Sequence, residues 1–135
     1  MSQPETMTIS ASALLLVAML ALASPAQTEP NSCDTAAARD ILVHTLPRAG
    51  EERPVNITFR TRAEGVEMPS WLVERYPDEI TVILQYEFDR LVASDDRFEV
   101  TVYFKGPPAR LTVPFDAVKT FFDKNVAKCW AIRPR

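Results

Sequence analysis

The sequence is short of the residues on which most enzyme chemistry depends. It has 135 residues but only two cysteines, one histidine and three glycines. Gly50, Gly65 and Gly106 are too scattered to build a loop that cradles phosphate. Cys33, Cys129 and His44 offer no closely spaced ligand pair, so no metal site or cofactor is expected. Basic excess is also missing. Fifteen Lys and Arg against 18 Asp and Glu leave a net charge of -3, which gives a nucleic-acid backbone little to hold. No apolar run is long enough for a confident membrane span either, the longest being Ile9 to Ala23.

What remains is the composition of one ordinary folded domain, 47% hydrophobic and 24% charged. The Ile9–Ala23 run carries no charge, ends in Ala21-Leu22-Ala23 and is followed by Ser24-Pro25-Ala26, small-residue patterns that suit a signal peptidase. Residues 1–26 therefore read as a signal-peptide-like leader and suggest export to the periplasm or envelope, although Glu5 precedes the run and no Lys or Arg does. Residues 27–35 read as a linker and 36–135 as the folded domain. Cys33 and Cys129 both lie beyond the leader, where an oxidising compartment would let them form a disulfide; in a reducing one they stay free thiols.

The periodicity predicts an α+β domain dominated by antiparallel strands. Ala38, Ile41, Leu42 and Thr45 share a helix face, capped by Asp34 or Thr35 and ended by Pro47 and Gly50. Val55, Ile57, Phe59 and Thr61 alternate as a first strand, and Ser70 to Tyr76 reads as a helical turn stopped by Pro77. Ile80, Val82, Leu84, Tyr86 and Phe88 predict one continuous strand, and Phe98, Val100, Val102 and Phe104 another. Arg110 to Val113 gives a short strand after the Gly106-Pro107-Pro108 turn, Val118, Phe121 and Phe122 predict a helix over Phe115–Phe122, and Cys129–Ile132 a last strand. His44, Glu79, Glu87, Asp89, Asp95 and Asp96 read as solvated polar positions, and the Asn56-Ile57-Thr58 sequon, lying in a strand, is discounted. Binding is expected rather than catalysis.

Four motifs in order resemble the stringent starvation protein B (SspB) family, the peptide-tag-binding adaptors of the ClpXP protease. They are Gly65-Val66-Glu67-Met68-Pro69, Arg75-Tyr76-Pro77 continuing to Val82-Ile83-Leu84-Gln85, Phe104-Lys105-Gly106-Pro107-Pro108, and Leu111-Thr112-Val113-Pro114-Phe115-Asp116-Ala117-Val118. The likeness runs from about Ala36 to Ile132, and its Arg-Tyr-Pro and Val-Ile-Leu-Gln stretches look closest to the α-proteobacterial branch. It implies an Sm-like β-sandwich or barrel preceded by a helix that often pairs two subunits, and a groove for an extended C-terminal degradation tag. It implies no enzyme. In that groove Gln85 would supply an amide contact, with Val102, Phe104 and Lys105 on the opposite wall. It also implies a cytoplasmic site of action and ClpX as partner, although family members often add a basic-apolar docking tail where this sequence ends Ile132-Arg133-Pro134-Arg135. Many also carry a His-Phe-Tyr-like run where this chain has Pro54-Val55-Asn56. The alternative expectation is an exported structural or peptide-binding envelope module of the same fold, with no ClpX partner.

Overall fold

A computed structural model describes residues 33–133, so the leader and most of the linker lie outside the described residues. Helix α1, Ala38–Thr45, runs into a 3-10 turn at Leu46–Arg48, and strand β1, Val55–Arg60, follows. A second short helix, α2, Ser70–Arg75, precedes β2 (Glu79–Leu84), β3 (Phe88–Ala93), β4 (Arg97–Tyr103) and β5 (Pro108–Pro114). A 3-10 turn at Phe115–Ala117 then leads to β6 (Val118–Asp123) and β7 (Lys128–Ala131).

The strands form two antiparallel sheets, one ordered β2-β1-β6-β7 and the other β3-β4-β5. Alternation explains why. In β1, Val55, Ile57 and Phe59 are buried, while Asn56, Thr58 and Arg60 face outward. Ile80, Val82 and Leu84 of β2, Phe98, Val100 and Val102 of β4, and Ala109, Leu111 and Val113 of β5 join them in one core. Stacked aromatics fill it, Phe98 on Phe115 at 6.2 Å and Phe121 on Trp130 at 4.9 Å between ring centroids. Ala38, Leu42 and Leu46 bury one side of α1 and its 3-10 extension.

Two predicted elements differ. The single strand expected from Ile80 to Phe88 is broken at Gln85–Glu87 into β2 and β3, which belong to different sheets. Tyr86, expected on the apolar face, is 66% exposed at that break. The helix expected over Phe115–Phe122 is a 3-10 turn followed by strand β6. The cause is a bulge: Thr58 faces Thr120 but Phe59 faces Val118, so Lys119 is an extra residue in β6. Val118 and Phe121 thus both point inward at a spacing of three, which imitates helical periodicity. The helix cap also differs, because Ala37 occupies the N-cap in a left-handed conformation without a side-chain bond. The Asp34 carboxylate instead accepts from the Ala36 N–H at 3.0 Å, closing a local turn.

Both sheets have one edge strapped by a neighbouring segment. Asp34 lies beside β7, its N–H donating to the Cys129 carbonyl at 3.1 Å and its carbonyl accepting from Ala131 at 2.8 Å. Lys128 Nζ stands 3.1 Å from the Asp34 carboxylate, and Cys33 and Cys129 are joined by a disulfide with Cα atoms 4.9 Å apart. On the other sheet Glu67 exchanges two backbone bonds with Thr112 of β5, at 2.9 and 2.8 Å. Gly65 enters this strap at φ 86°, and a Cβ there would meet Pro114 Cγ at 2.7 Å, so this turn requires glycine. No further strand is paired along the outer edges of β2 and β3 among the described residues.

The Ala36 amide, first, and Lys128, second, hold the Asp34 carboxyl below its ordinary value. A lowered folded-state pKa stabilises fully above the unfolded value and loses that contribution as pH falls through the folded one. Exposure of the β7 strap to acid below about pH 4 should therefore loosen it. The protection of the Ala131 amide, its exchange rate compared with the intrinsic rate at each pH, should fall in that window in wild type; the same profile in Asp34→Ala would dissociate the carboxylate from the effect.

Candidate functional site

The break between β2 and β3 brings the recognisable sequence motifs together. Leu84 ends β2 buried, Gln85 is half-buried, and Tyr86 turns out to solvent. The Glu87 carbonyl accepts from the Tyr103 N–H at 3.3 Å, extending the β3–β4 pairing one step toward Phe104 and Lys105. Gln85 and the end of β4 therefore lie at the same corner of the molecule.

Phe104 is half-buried and its ring lies 6.5 Å from that of Tyr76, so the Arg75-Tyr76-Pro77 and Phe104-Lys105-Gly106 segments meet. Tyr76 is held from behind, its carbonyl accepting from the Thr61 hydroxyl at 2.7 Å. Lys105 is exposed and has φ 46°, a left-handed turn conformation that swings the chain into Gly106. Val102 is only 4% exposed, between Phe88 of β3 and Ala109 of β5. Its side chain packs the core behind the corner rather than lining a surface.

Ile83, Tyr86 and Tyr103 are exposed large side chains of this region, and none was selected by sequence. A signal existed for Ile83: with Ile80, Val82 and Leu84 inward, period two puts residue 83 outside. Tyr86 carried the opposite signal, since it fits the inward alternation.

The corner offers a β2 edge that is unpaired among the described residues, apolar side chains beside it, an amide at Gln85 and a cation at Lys105. An extended peptide needs such features: backbone groups to bond, and neighbouring pockets and polar groups to choose its side chains. Clefts found elsewhere suit it less. One of about 720 Å³ beside α1 is lined by Arg39, Asp40, Asp95, Asp96 and Arg133 together with Ala37, Ala38, Val43 and Ile132, so charges of both signs interrupt its apolar wall.

Catalytic groupings are sparse. Glu79 is held by Lys119 at 2.5 Å, and the Asp96 carboxylate accepts from the Ser94 hydroxyl at 2.7 Å within a turn. The His44 side chain is 76% exposed at the end of α1, its Nδ1 2.8 Å from the Asp40 carbonyl. Among the described residues no three His, Cys, Asp or Glu side chains gather to hold a metal, and no helix is long and apolar enough to cross a membrane.

Residues 35–134 match the family model described as SspB, stringent starvation protein B. No curated protein matches the chain.

Proposed function

The chain belongs to the stringent starvation protein B family, and on that premise we propose that it is a non-enzymatic adaptor that binds an extended C-terminal degradation tag for the ClpXP protease. The two antiparallel sheets and their preceding helix support reading the domain as the Sm-like sandwich of that family. The observation that carries the functional reading is the unpaired β2 edge ending at Gln85, with Tyr86, Phe104 and Lys105 around it. Gln85 supplies the amide contact, Phe104 an apolar wall and Lys105 a positive charge, while Val102 supports the wall from the core. Delivery to ClpX, and pairing of two copies through α1, belong to the same proposal.

Fluorescent tag peptide titrated against the domain tests it. Wild type should bind, and Gln85→Ala should weaken binding roughly ten- to hundredfold, corresponding to about 1–3 kcal/mol, with little change in stability. Val102→Ala should do the reverse, costing roughly 1–3 kcal/mol of folding stability while the affinity of the folded fraction holds. A folded wild-type domain that binds no tag would reject the adaptor reading, and unchanged binding by Gln85→Ala would reject the site.

A second reading is favoured by the Cys33–Cys129 bridge, because disulfides persist in oxidising compartments and ClpXP works in the cytoplasm. In it the domain is an exported envelope module that binds peptide or serves structurally, without ClpX. Alkylation of thiols in intact cells separates the two: bridged cysteines support the envelope module and free ones the cytoplasmic adaptor.

A further inference from the structure

Strand β2 pairs with β1 in a phase that decides which of its backbone groups remain available. The Thr61 N–H donates to the Asp78 carbonyl at 3.1 Å, and these residues stand opposite each other in the register that continues from Arg60–Glu79 to Val55–Leu84. Antiparallel pairs alternate between bonded and unbonded, so Ile80, Val82 and Leu84 direct their backbone groups at β1. Glu79, Thr81 and Ile83 aim theirs the opposite way, along the edge that is open among the described residues. The Thr58 and Thr81 hydroxyls, 2.7 Å apart, fit this phase, because side chains approach most closely at unbonded pairs.

Gln85 continues the phase, and two residues on, the Glu87 carbonyl accepts from the Tyr103 N–H at 3.3 Å. From Glu87 onward the edge is thus taken by β4, which faces Phe88 and Asp89 in the same register. Extended straight in that register, β4 would set residues 105, 107 and 109 opposite 85, 83 and 81. It turns away instead. Lys105 at φ 46° swings the chain into Gly106-Pro107-Pro108, neither proline has an N–H to offer, and Ala109 already pairs with Val102 in β5. The place beside β2 that β4 would fill is left vacant by the chain's own turn.

Phe104 stands at the head of this slot, half-buried with its ring 6.5 Å from that of Tyr76. Lys105 is exposed beside it with no carboxylate within 4.0 Å among the described residues, which leaves its charge for an acidic residue of a bound segment. Resting on the adaptor reading above, we propose that the tag is held as an added strand in the place β4 vacates, its backbone bonded to Thr81, Ile83 and Gln85. A strand added to an edge bonds to it through every second residue only. The slot therefore takes extended peptides with free N–H groups at alternate positions and rejects proline there. Selection by backbone comes first, and the side-chain contacts at Gln85 and Phe104 refine it.

Hydrogen exchange followed by NMR on the isotope-labelled chain, with and without saturating tag peptide, tests the phase. The amides of Thr81, Ile83 and Gln85 should gain at least about tenfold protection, whereas those of Ile80, Val82 and Leu84, already bonded to β1, should change little. Ile83→Pro removes one slot-facing N–H without opening the core, since Ile83 is 55% exposed, and edge positions tolerate proline. It should weaken tag binding at least about tenfold relative to Ile83→Thr, which keeps the N–H. Thermal transitions show whether both variants are folded, and the wild-type exchange pattern decides the matter even where the proline variant is not. A tag that binds while protecting none of these amides, or all six alike, overturns strand addition and leaves the adaptor reading standing, as does equal affinity for the two folded variants. A folded wild type that binds no tag removes both.

Discussion

Replacing Cys33 and Cys129 together with alanine is expected to cost the oxidised domain about 4–5 kcal/mol, because the bridge closes a loop of 96 residues. In the chain-entropy account a cross-link of that span removes a large share of the freedom of the unfolded chain. The native contacts at the same place cannot replace it. Asp34 contributes two backbone bonds and an exposed ion pair with Lys128, and exposed pairs contribute little. For a domain of about this size the loss should lower Tm by on the order of 20 °C. Thermal unfolding of the oxidised wild type, the reduced wild type and the double variant checks it: the last two should coincide, well below the first. Coincidence of all three would mean that the bridge adds nothing to the stability of the fold.

The second large effect is an asymmetry between adjacent phenylalanines. Phe121 is 1% exposed, stacks on Trp130 and lies opposite Ile57 in the core. Phe122 is half-buried on the other face of the sheet, between Asn56 and Cys129. Phe121→Ala should cost about 3–5 kcal/mol by opening a cavity, and Phe122→Ala roughly 1 kcal/mol. Denaturant unfolding of both variants measures the difference. Equal, large losses would restore the helix that the sequence spacing suggested, since on a helix both rings share the buried face.

That pair also shows where sequence reading succeeds and where it stops. Strands β1, β4 and β5 were legible because nothing interrupts the alternation of Val55-Ile57-Phe59, Phe98-Val100-Val102 and Leu111-Val113. Strand β6 was not, because one extra residue at the bulge converts a spacing of two into three, and no local signal distinguishes that from a helical turn. The same limit hid the corner at Gln85: Tyr86 continues the apolar alternation in sequence, and only the separation of β2 and β3 into different sheets turns it outward. Gln85, Phe104 and Lys105 came from family resemblance, and sequence alone could not say that they converge. Tyr76 illustrates the remainder, since its partner Phe104 is 28 residues away and local periodicity does not encode such a meeting.

The two strapped edges bear on how copies of this domain can associate. Among the described residues, in the four-stranded sheet β7 is closed by Asp34 and β2 is open, and in the three-stranded sheet β5 is closed by Glu67. Open-ended growth of stacked sheets requires each molecule to offer two receptive edges, one to give and one to take. The four-stranded sheet offers one. Two copies joined through their β2 edges would leave only strapped β7 edges outside, so edge association of that sheet terminates at a symmetric pair instead of propagating into a fibre.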